Sequence, residues 1–157
     1  MKVDIYNTDK KYNSELDVGK AGEHLVCSLL IKQGYTCFLT DQGLPYDVLI
    51  EKDGSFYTVQ VKTTTKKINT CKQKNIYRFG LRNGKGSTKR YKDIDIFAFV
   101  FLDIMKVAFL KSEDLINKNK EVIQTVEFRS CHDIVGKQKG KLLEDYEKLN
   151  LKEGDEA

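Results

Sequence analysis

The chain has 157 residues, 40% of them hydrophobic and 32% charged, which suits one domain with a single core. Its 27 Lys and Arg against 23 Asp and Glu give an excess too small to indicate a partner. No apolar run reaches the length of a membrane span and no apolar signal segment opens the chain, so we expect a soluble intracellular protein of the cytoplasm or nucleoid that binds no membrane. The widely spaced cysteines lack a CxxC pair, which predicts reduced, partly buried thiols rather than a zinc site or a disulfide framework. These are Cys27, Cys37, Cys71 and Cys131.

The first half of the chain predicts one helix followed by a strand and a hairpin. Apolar residues recur at helical spacing after Asp17, and Gly34 is a favourable stop, so we expect a helix from Asp17 to about Gln33. Strands are predicted over Tyr35–Thr40, Asp47–Lys52 and Ser55–Thr65, the last two joined by the Asp53-Gly54 turn.

The second half predicts a mixture of strands and short helices. We expect strands at Ile76–Leu81, Ile94–Leu102 and Lys106–Leu110, a strand or an irregular edge at Glu121–Arg129, a short helix over Glu113–Asn117 capped by Ser112, and a helix at Lys141–Leu149. This order predicts an α/β or α+β fold with a mixed sheet.

The hairpin brings polar groups together at one end. If Asp53-Gly54 is a two-residue turn, paired residues have numbers that sum to 107, and Asp47 lies directly opposite Gln60. Side chains alternate along a strand, so Asp47, Gln60 and Lys62 share a face, with Cβ atoms about 5 Å apart for the opposed pair and about 7 Å for the diagonal one. The other face carries Val48, Ile50, Tyr57, Val59 and Val61, which predicts core.

A carboxylate, an amide and an ammonium at one strand end suit hard-metal phosphodiester chemistry, although exposed polar residues at a strand end are also common. Mg²⁺ prefers oxygen ligands, which the side chains of Asp47 and Gln60 and the backbone carbonyl of Val61 can supply. Lys62 can orient an attacking water or stabilise the phosphorane. Glu23 adds a carboxylate on the first helix, where Gly22 permits a close approach to the sheet.

These residues resemble the pattern of the PD-(D/E)XK nuclease superfamily. That pattern has a Glu on the first core helix, an Asp that starts the second strand, and (D/E)-x-K on the third. The matching stretches are "GKAGEHLV", "PYDVLI" and "VQVKT", and the resemblance covers about residues 19–116. There are two departures, since Tyr46 separates the proline from Asp47, and Gln60 replaces the acid. The Q-x-K form and the later "YKDIDIFAFVF" and "VAFLKSEDL" are similar to the homing endonucleases of group I introns, and archaeal Holliday junction resolvases are more distantly similar.

The resemblance implies a restriction-endonuclease-like core with a central mixed sheet flanked by helices. It implies that Asp47 is the main metal ligand, that Glu23 completes the site directly or through water, that Gln60 takes the second acidic position and that Lys62 is the catalytic lysine. The implied cofactor is Mg²⁺, for which Mn²⁺ can substitute. Because Gln60 carries no negative charge, the number of metal ions stays open.

Residues 62–92 hold many Lys and Arg and no acid, which suits phosphate binding, although a solvated lysine-rich loop has the same composition. From this stretch we expect six residues to contact DNA: Lys66, Lys67, Lys85, Lys89, Arg90 and Tyr91.

Other polar residues have simpler interpretations. His24 neighbours Glu23, but adjacent residues of a helix point about 100° apart, so His24 is expected to be packed or to face DNA rather than to act as a general base. His132 has no partner at ligand spacing and is expected at the surface. Asp93 and Asp95 at a strand start are expected to act mainly as structural caps.

The sequence therefore predicts a single domain, 1–157, with a core at about 17–116 and a C-terminal extension at 117–157. The implied function is Mg²⁺-dependent hydrolysis of double-stranded or branched DNA. Site-specific homing-type cleavage comes first, and Holliday junction resolution is the second possibility. A DNA-binding module without catalysis is an alternative of another class. Cutting both strands needs two active sites, so we expect a homodimer or a higher homo-oligomer.

Overall fold

The computed structural model describes residues 15–41, 43–70, 75–81, 93–131 and 140–151. The elements of these residues are α1 (Glu15–Lys32), β1 (Thr36–Leu39), β2 (Val48–Lys52), β3 (Ser55–Thr64), β4 (Tyr77–Gly80), β5 (Ile96–Phe101), β6 (Lys106–Lys111), β7 (Thr125–Arg129) and β8 (Lys141–Leu142), with 3-10 helices at Ser112–Leu115 and Leu143–Tyr146. Among these elements, no helix combines the length and the apolar character needed to cross a bilayer.

The strands form two sheets. The larger sheet has the order β1-β2-β3-β5-β6. It is mixed because β3 and β5 are parallel, whereas the other pairs of adjacent strands are antiparallel. The smaller sheet has the order β4-β7-β8. The predicted mixed sheet and α+β class are confirmed.

Strand β5 shows how the layers are packed. All six of its residues are buried, and alternate side chains enter two different hydrophobic clusters. Ile96, Ala98 and Val100 pack on the side of α1, whereas Phe97, Phe99 and Phe101 pack against the small sheet. In the described residues, α1 therefore covers one face of the large sheet, and the small sheet with its 3-10 helices covers the other.

The predicted helix is present, and it begins two residues earlier than expected, at Glu15. Gly34 ends it with a φ of 94°, and the Tyr35 N–H donates to the Leu30 carbonyl at 3.0 Å, which closes the C-terminus in the manner expected of glycine. Gly22 faces the sheet so closely that a Cβ there would overlap the Thr63 hydroxyl. The close approach expected at Gly22 is confirmed.

The hairpin has the predicted register. Val48 pairs with Val59, Ile50 with Tyr57 and Lys52 with Ser55. Asp53 and Gly54 have φ values of 52° and 80°, the positive pair that a type I′ turn requires.

Two sequence predictions for the second half of the chain are wrong. No α-helix forms at Lys141–Leu149, because Lys141 and Leu142 pair with β7 and only one 3-10 turn follows. Leu149 is buried in the cluster beside α1, and the Tyr35 hydroxyl donates to its carbonyl at 2.8 Å. The cap expected at Ser112 is also absent, since its hydroxyl donates to the Ile94 carbonyl instead.

Three cysteines lie in the described residues, and all are free thiols, as predicted. Burial, together with a hydrogen bond to Cys37, raises the pKa of Cys27 to about 12. Cys131 is exposed rather than partly buried, and Cys71 lies outside the described residues. At neutral pH Cys27 is therefore a protonated core residue.

Candidate active site

One cleft collects the polar residues that the hairpin and α1 present. It has a volume of about 490 Å³, and its lining includes Glu23, Asp47, Gln60 and Lys62. Glu23 comes from α1, Asp47 directly precedes β2, and the other two lie on β3. The hairpin and the close contact of α1 at Gly22 thus bring together four residues that are spread over forty positions of sequence.

The carboxylate of Asp47 is fixed to β3 by two donors. Its Oδ2 atom accepts from the Gln60 side-chain Nε2 at 2.5 Å and from the Val61 N–H at 2.8 Å. The backbone N–H of Asp47 donates to the Val59 carbonyl at 2.9 Å, which extends the hairpin by one residue. Within the described part of the chain, Oδ1 accepts no hydrogen bond, so it remains available to a ligand in the cleft.

The electrostatic surroundings of Asp47 do not fully favour its charge. Burial raises the pKa of this carboxyl, and the nearby Glu23 raises it further. The Val61 N–H lowers the pKa, as do the ammonium groups of Lys62 and Lys20, but they only partly offset the burial. A positive ion at this point would stabilise the ionised form.

Glu23 lies on the face of α1 that meets the cleft. Its Oε2 atom is 2.8 Å from the ammonium of Lys20, three residues earlier on the helix. The Glu23 side chain is 16% exposed and that of Lys20 is 46% exposed. The sequence analysis did not single out Lys20, although its i,i+3 spacing to Glu23 is a signal that could have indicated it.

The donor set fits a hard divalent cation. Three side-chain oxygens that line the cleft accept no hydrogen bond from the described residues: Asp47 Oδ1, Glu23 Oε1 and Gln60 Oε1. Oxygen donors of this kind are the ligands that Mg²⁺ and Mn²⁺ prefer. No group of three His, Cys, Asp or Glu side chains placed to hold a metal forms within the described ranges.

Lys62 lies on β3 beside Phe99 of β5, and its positive charge lowers the pKa of Asp47. The chain leaves the cleft through Lys66, which is exposed, and Lys67, whose Nζ atom is 5.6 Å from the centroid of the Tyr77 ring. Four other residues expected to contact DNA, Lys85, Lys89, Arg90 and Tyr91, lie outside the described residues.

The remaining polar candidates have structural surroundings. Oδ2 of Asp95 accepts from the Thr58 N–H at 2.8 Å and the Thr58 hydroxyl at 3.1 Å, so Asp95 has a structural role, as expected, and joins the residue before β5 to the interior of β3. The Asp93 carbonyl accepts from the same hydroxyl at 2.5 Å. His24 is exposed, and His132 lies outside the described residues.

One comparison with known proteins shows the family of this chain, and another shows its fold. A family model described as PD-(D/E)XK endonuclease matches residues 13–144. The solved structure of a bacterial homing endonuclease, I-Ssp6803I, superposes with a TM-score of 0.64 at 16% identity, over 86% of this chain and 87% of that chain. At an identity this low, the structural similarity indicates a shared fold alone. No curated protein sequence matches the chain.

Proposed function

The chain belongs to the PD-(D/E)XK endonuclease family and has its restriction-endonuclease-like fold, and from this premise we propose that it is a divalent-metal-dependent nuclease that cuts DNA at specific sites. The observation that carries the proposal is the convergence of Glu23, Asp47, Gln60 and Lys62 on one cleft. Catalysis of this kind needs oxygen ligands and a cation beside the same phosphate.

Four groups of this chain would hold the metal. They are Asp47 through Oδ1, Glu23, the Gln60 carbonyl oxygen and the backbone carbonyl of Val61. The N–H and C=O of one strand residue point to the same side, and the Val61 N–H points to Asp47, which directs the carbonyl to the same open edge. A Mg²⁺ or Mn²⁺ ion supplies Lewis-acid polarisation of the phosphate and activation of water. The hydrogen bonds to Asp47 Oδ2 hold its other oxygen ready for this role.

Lys62 acts on the reacting phosphate. Its ammonium, on the same strand as Gln60, orients the attacking water and stabilises the negative charge that develops on the phosphorane. The attack leaves a 5′-phosphate and a 3′-hydroxyl. The expected contacts of Lys66 and Lys67 with neighbouring phosphates follow from their position directly after the cleft on the same chain segment.

The proposed substrate is double-stranded DNA with a defined target, cut by a homodimer or a higher homo-oligomer. One chain carries one such cleft in its described residues, and two cuts in antiparallel strands call for two clefts related by symmetry. The named homing activity of the similar structure favours this substrate over a four-way junction.

A cleavage assay with an unbiased substrate tests the proposal. The purified protein is incubated with a plasmid library that carries a randomised insert, with Mg²⁺, Mn²⁺ or Ca²⁺, or with EDTA, and the cut ends are sequenced. Recurrent ends that require Mg²⁺ or Mn²⁺ support site-specific cleavage. A four-way junction is assayed in parallel, and preferential cutting of that junction would favour a resolvase.

Binding without cutting, under every metal condition, would favour the non-catalytic DNA-binding module. The Asp47→Ala variant, purified in the same way, is the control for contaminating nucleases. A contaminant would give the same cleavage in the preparations of the parent protein and of the variant.

A further inference from the structure

Lys20 lies among three carboxylates at the margin of the cleft. Its ammonium is 2.8 Å from Glu23 Oε2. It also lines a neighbouring cleft of about 340 Å³ together with Asp41 and Asp47. Glu23 raises the pKa of Lys20 most, and Asp47 and Asp41 raise it further, so all three carboxylates stabilise the charged ammonium.

Lys20 and Lys62 offset part of the negative charge of the site. The linings of the two clefts hold four carboxylates, those of Glu15, Glu23, Asp41 and Asp47, against these two ammonium groups. An acid in place of the neutral Gln60 would add one more negative charge. Because Coulomb energies scale with charge, each ammonium at the site weakens its attraction for a divalent cation.

Lys20 also occupies one of the two carboxylate oxygens of Glu23 and leaves only Oε1 to a cation. It bonds Oε2 of Glu23, the carboxylate that would complete the metal site, and it stands on the cleft side of the helix. Almost half of its side chain is exposed at 46%, and the four-carbon stem can move the ammonium away from Glu23 towards a phosphate.

We propose that Lys20 is a positioning residue that holds Glu23 until DNA arrives and so makes metal binding depend on DNA. This inference rests on the proposed function. A DNA phosphate takes the ammonium of Lys20, Glu23 is released towards the metal, and Lys20 no longer offsets the negative charge of the site. By linkage, the metal then strengthens DNA binding by the same factor.

Calorimetric titration of Mn²⁺ into the DNA-free protein tests the proposal without measuring cleavage. We expect Lys20→Met, which keeps the apolar stem, to lower the Mn²⁺ dissociation constant by about tenfold, since one nearby positive charge is removed. Lys20→Arg should keep the parent value. Lys118→Met, which removes an exposed positive charge outside the site, is the control for net charge.

The coupling is measured by repeating the titration with a non-specific duplex. DNA should tighten Mn²⁺ binding markedly in the parent protein and much less in Lys20→Met. An Mn²⁺ dissociation constant for Lys20→Met within twofold of the parent, or equal coupling in both proteins, would overturn the proposal. In that case the ion pair is an ordinary surface contact of the helix.

A further variant separates this failure from failure of the proposed function. Asp47→Asn removes the main anionic ligand and should abolish Mn²⁺ binding whether residue 20 is Lys or Met. If Asp47→Asn binds Mn²⁺ as the parent does, the metal site itself is misplaced. Circular dichroism and thermal melting establish that each variant is folded, and Lys20→Gln replaces Lys20→Met if the latter is not.

Discussion

Gln60 and Asp47 face each other across the end of the hairpin and are joined by a hydrogen bond of 2.5 Å between Gln60 Nε2 and Asp47 Oδ2. The amide thus presents its nitrogen to the carboxylate and leaves its oxygen to the cleft. An acid in place of Gln60 could not donate this bond in its ionised form. Gln60 can therefore orient Asp47 and, in the proposed site, also serve as a neutral ligand.

Replacement of Asp47 by Ala separates binding from chemistry. We expect cleavage to fall by about 100-fold or more, because the main anionic ligand is lost. DNA binding measured in EDTA should stay the same or become slightly tighter, since a negative charge facing phosphate is gone. Cleavage rates and gel-shift titrations measure the two effects. The matched control is Asp114→Asn, which changes an exposed carboxylate on a 3-10 helix and should cut at the parent rate.

Lys62→Ala should also stop cleavage, with a different binding result. The loss of the cation beside the reacting phosphate should cost on the order of 100-fold in rate. Binding should weaken as well, with the slope of log affinity against log salt reduced by about one unit if the ammonium contacts a phosphate. Lys118→Ala, an exposed lysine outside the cleft, is the comparison. A folded Lys62→Ala protein that cuts at the parent rate would remove Lys62 from the mechanism.

The burial of Asp47 should make the stability of the metal-free protein depend on pH. The pKa of Asp47 is raised in the folded state, chiefly by burial, so its ionised form is destabilising above that folded pKa. Asp47→Asn should therefore melt at a higher temperature than the parent at neutral pH in EDTA. The difference should shrink as the pH falls through the folded pKa, and it should vanish below the ordinary pKa of aspartate, where both forms are neutral. A difference that is constant with pH would contradict this explanation.

Two glycines of α1 provide a matched pair for the contact between helix and sheet. Gly22→Ala should lower the free energy of unfolding by about 1–3 kcal/mol, because the new Cβ would overlap the Thr63 hydroxyl. Gly19→Ala meets nothing within 4 Å and should raise it by up to about 1 kcal/mol through helix propensity. Urea denaturation of both variants measures the contrast. Equal effects would show that the helix and the sheet are further apart than we describe.

The segment after the last 3-10 helix should contribute to stability although it has no regular structure. Leu149 is 5% exposed and packs in the cluster beside α1. Leu149→Ala should cost about 2–4 kcal/mol by loss of buried apolar surface and by the cavity left behind. Asn150→Ala, at the exposed neighbouring position, should change the free energy of unfolding by less than about 0.5 kcal/mol. Denaturant unfolding of the two variants tests whether this end of the described chain belongs to the core.

The hairpin could be predicted in detail from the sequence because its determinants are local. A two-residue turn fixes which residues pair, and the period of two fixes which side chains share a face. The helix from Glu15 to Lys32 could be predicted for the same reason, since its apolar stripe and Gly34 are neighbours in sequence. The resemblance to the family likewise rested on the short motifs around Glu23, Asp47 and Gln60.

The tertiary structure decided what depends on distant partners. The lysine-rich and leucine-rich stretch at 141–149 has helical composition, yet pairing with β7 and burial of Leu149 against α1 override that local preference. The position of Lys20 among three carboxylates likewise depends on how α1 lies on the sheet. The sequence alone thus determined the elements and register that neighbouring residues control. Packing between layers decided the charge balance of the cleft, because side chains far apart in sequence meet only when the helix and the sheet bury their apolar faces together.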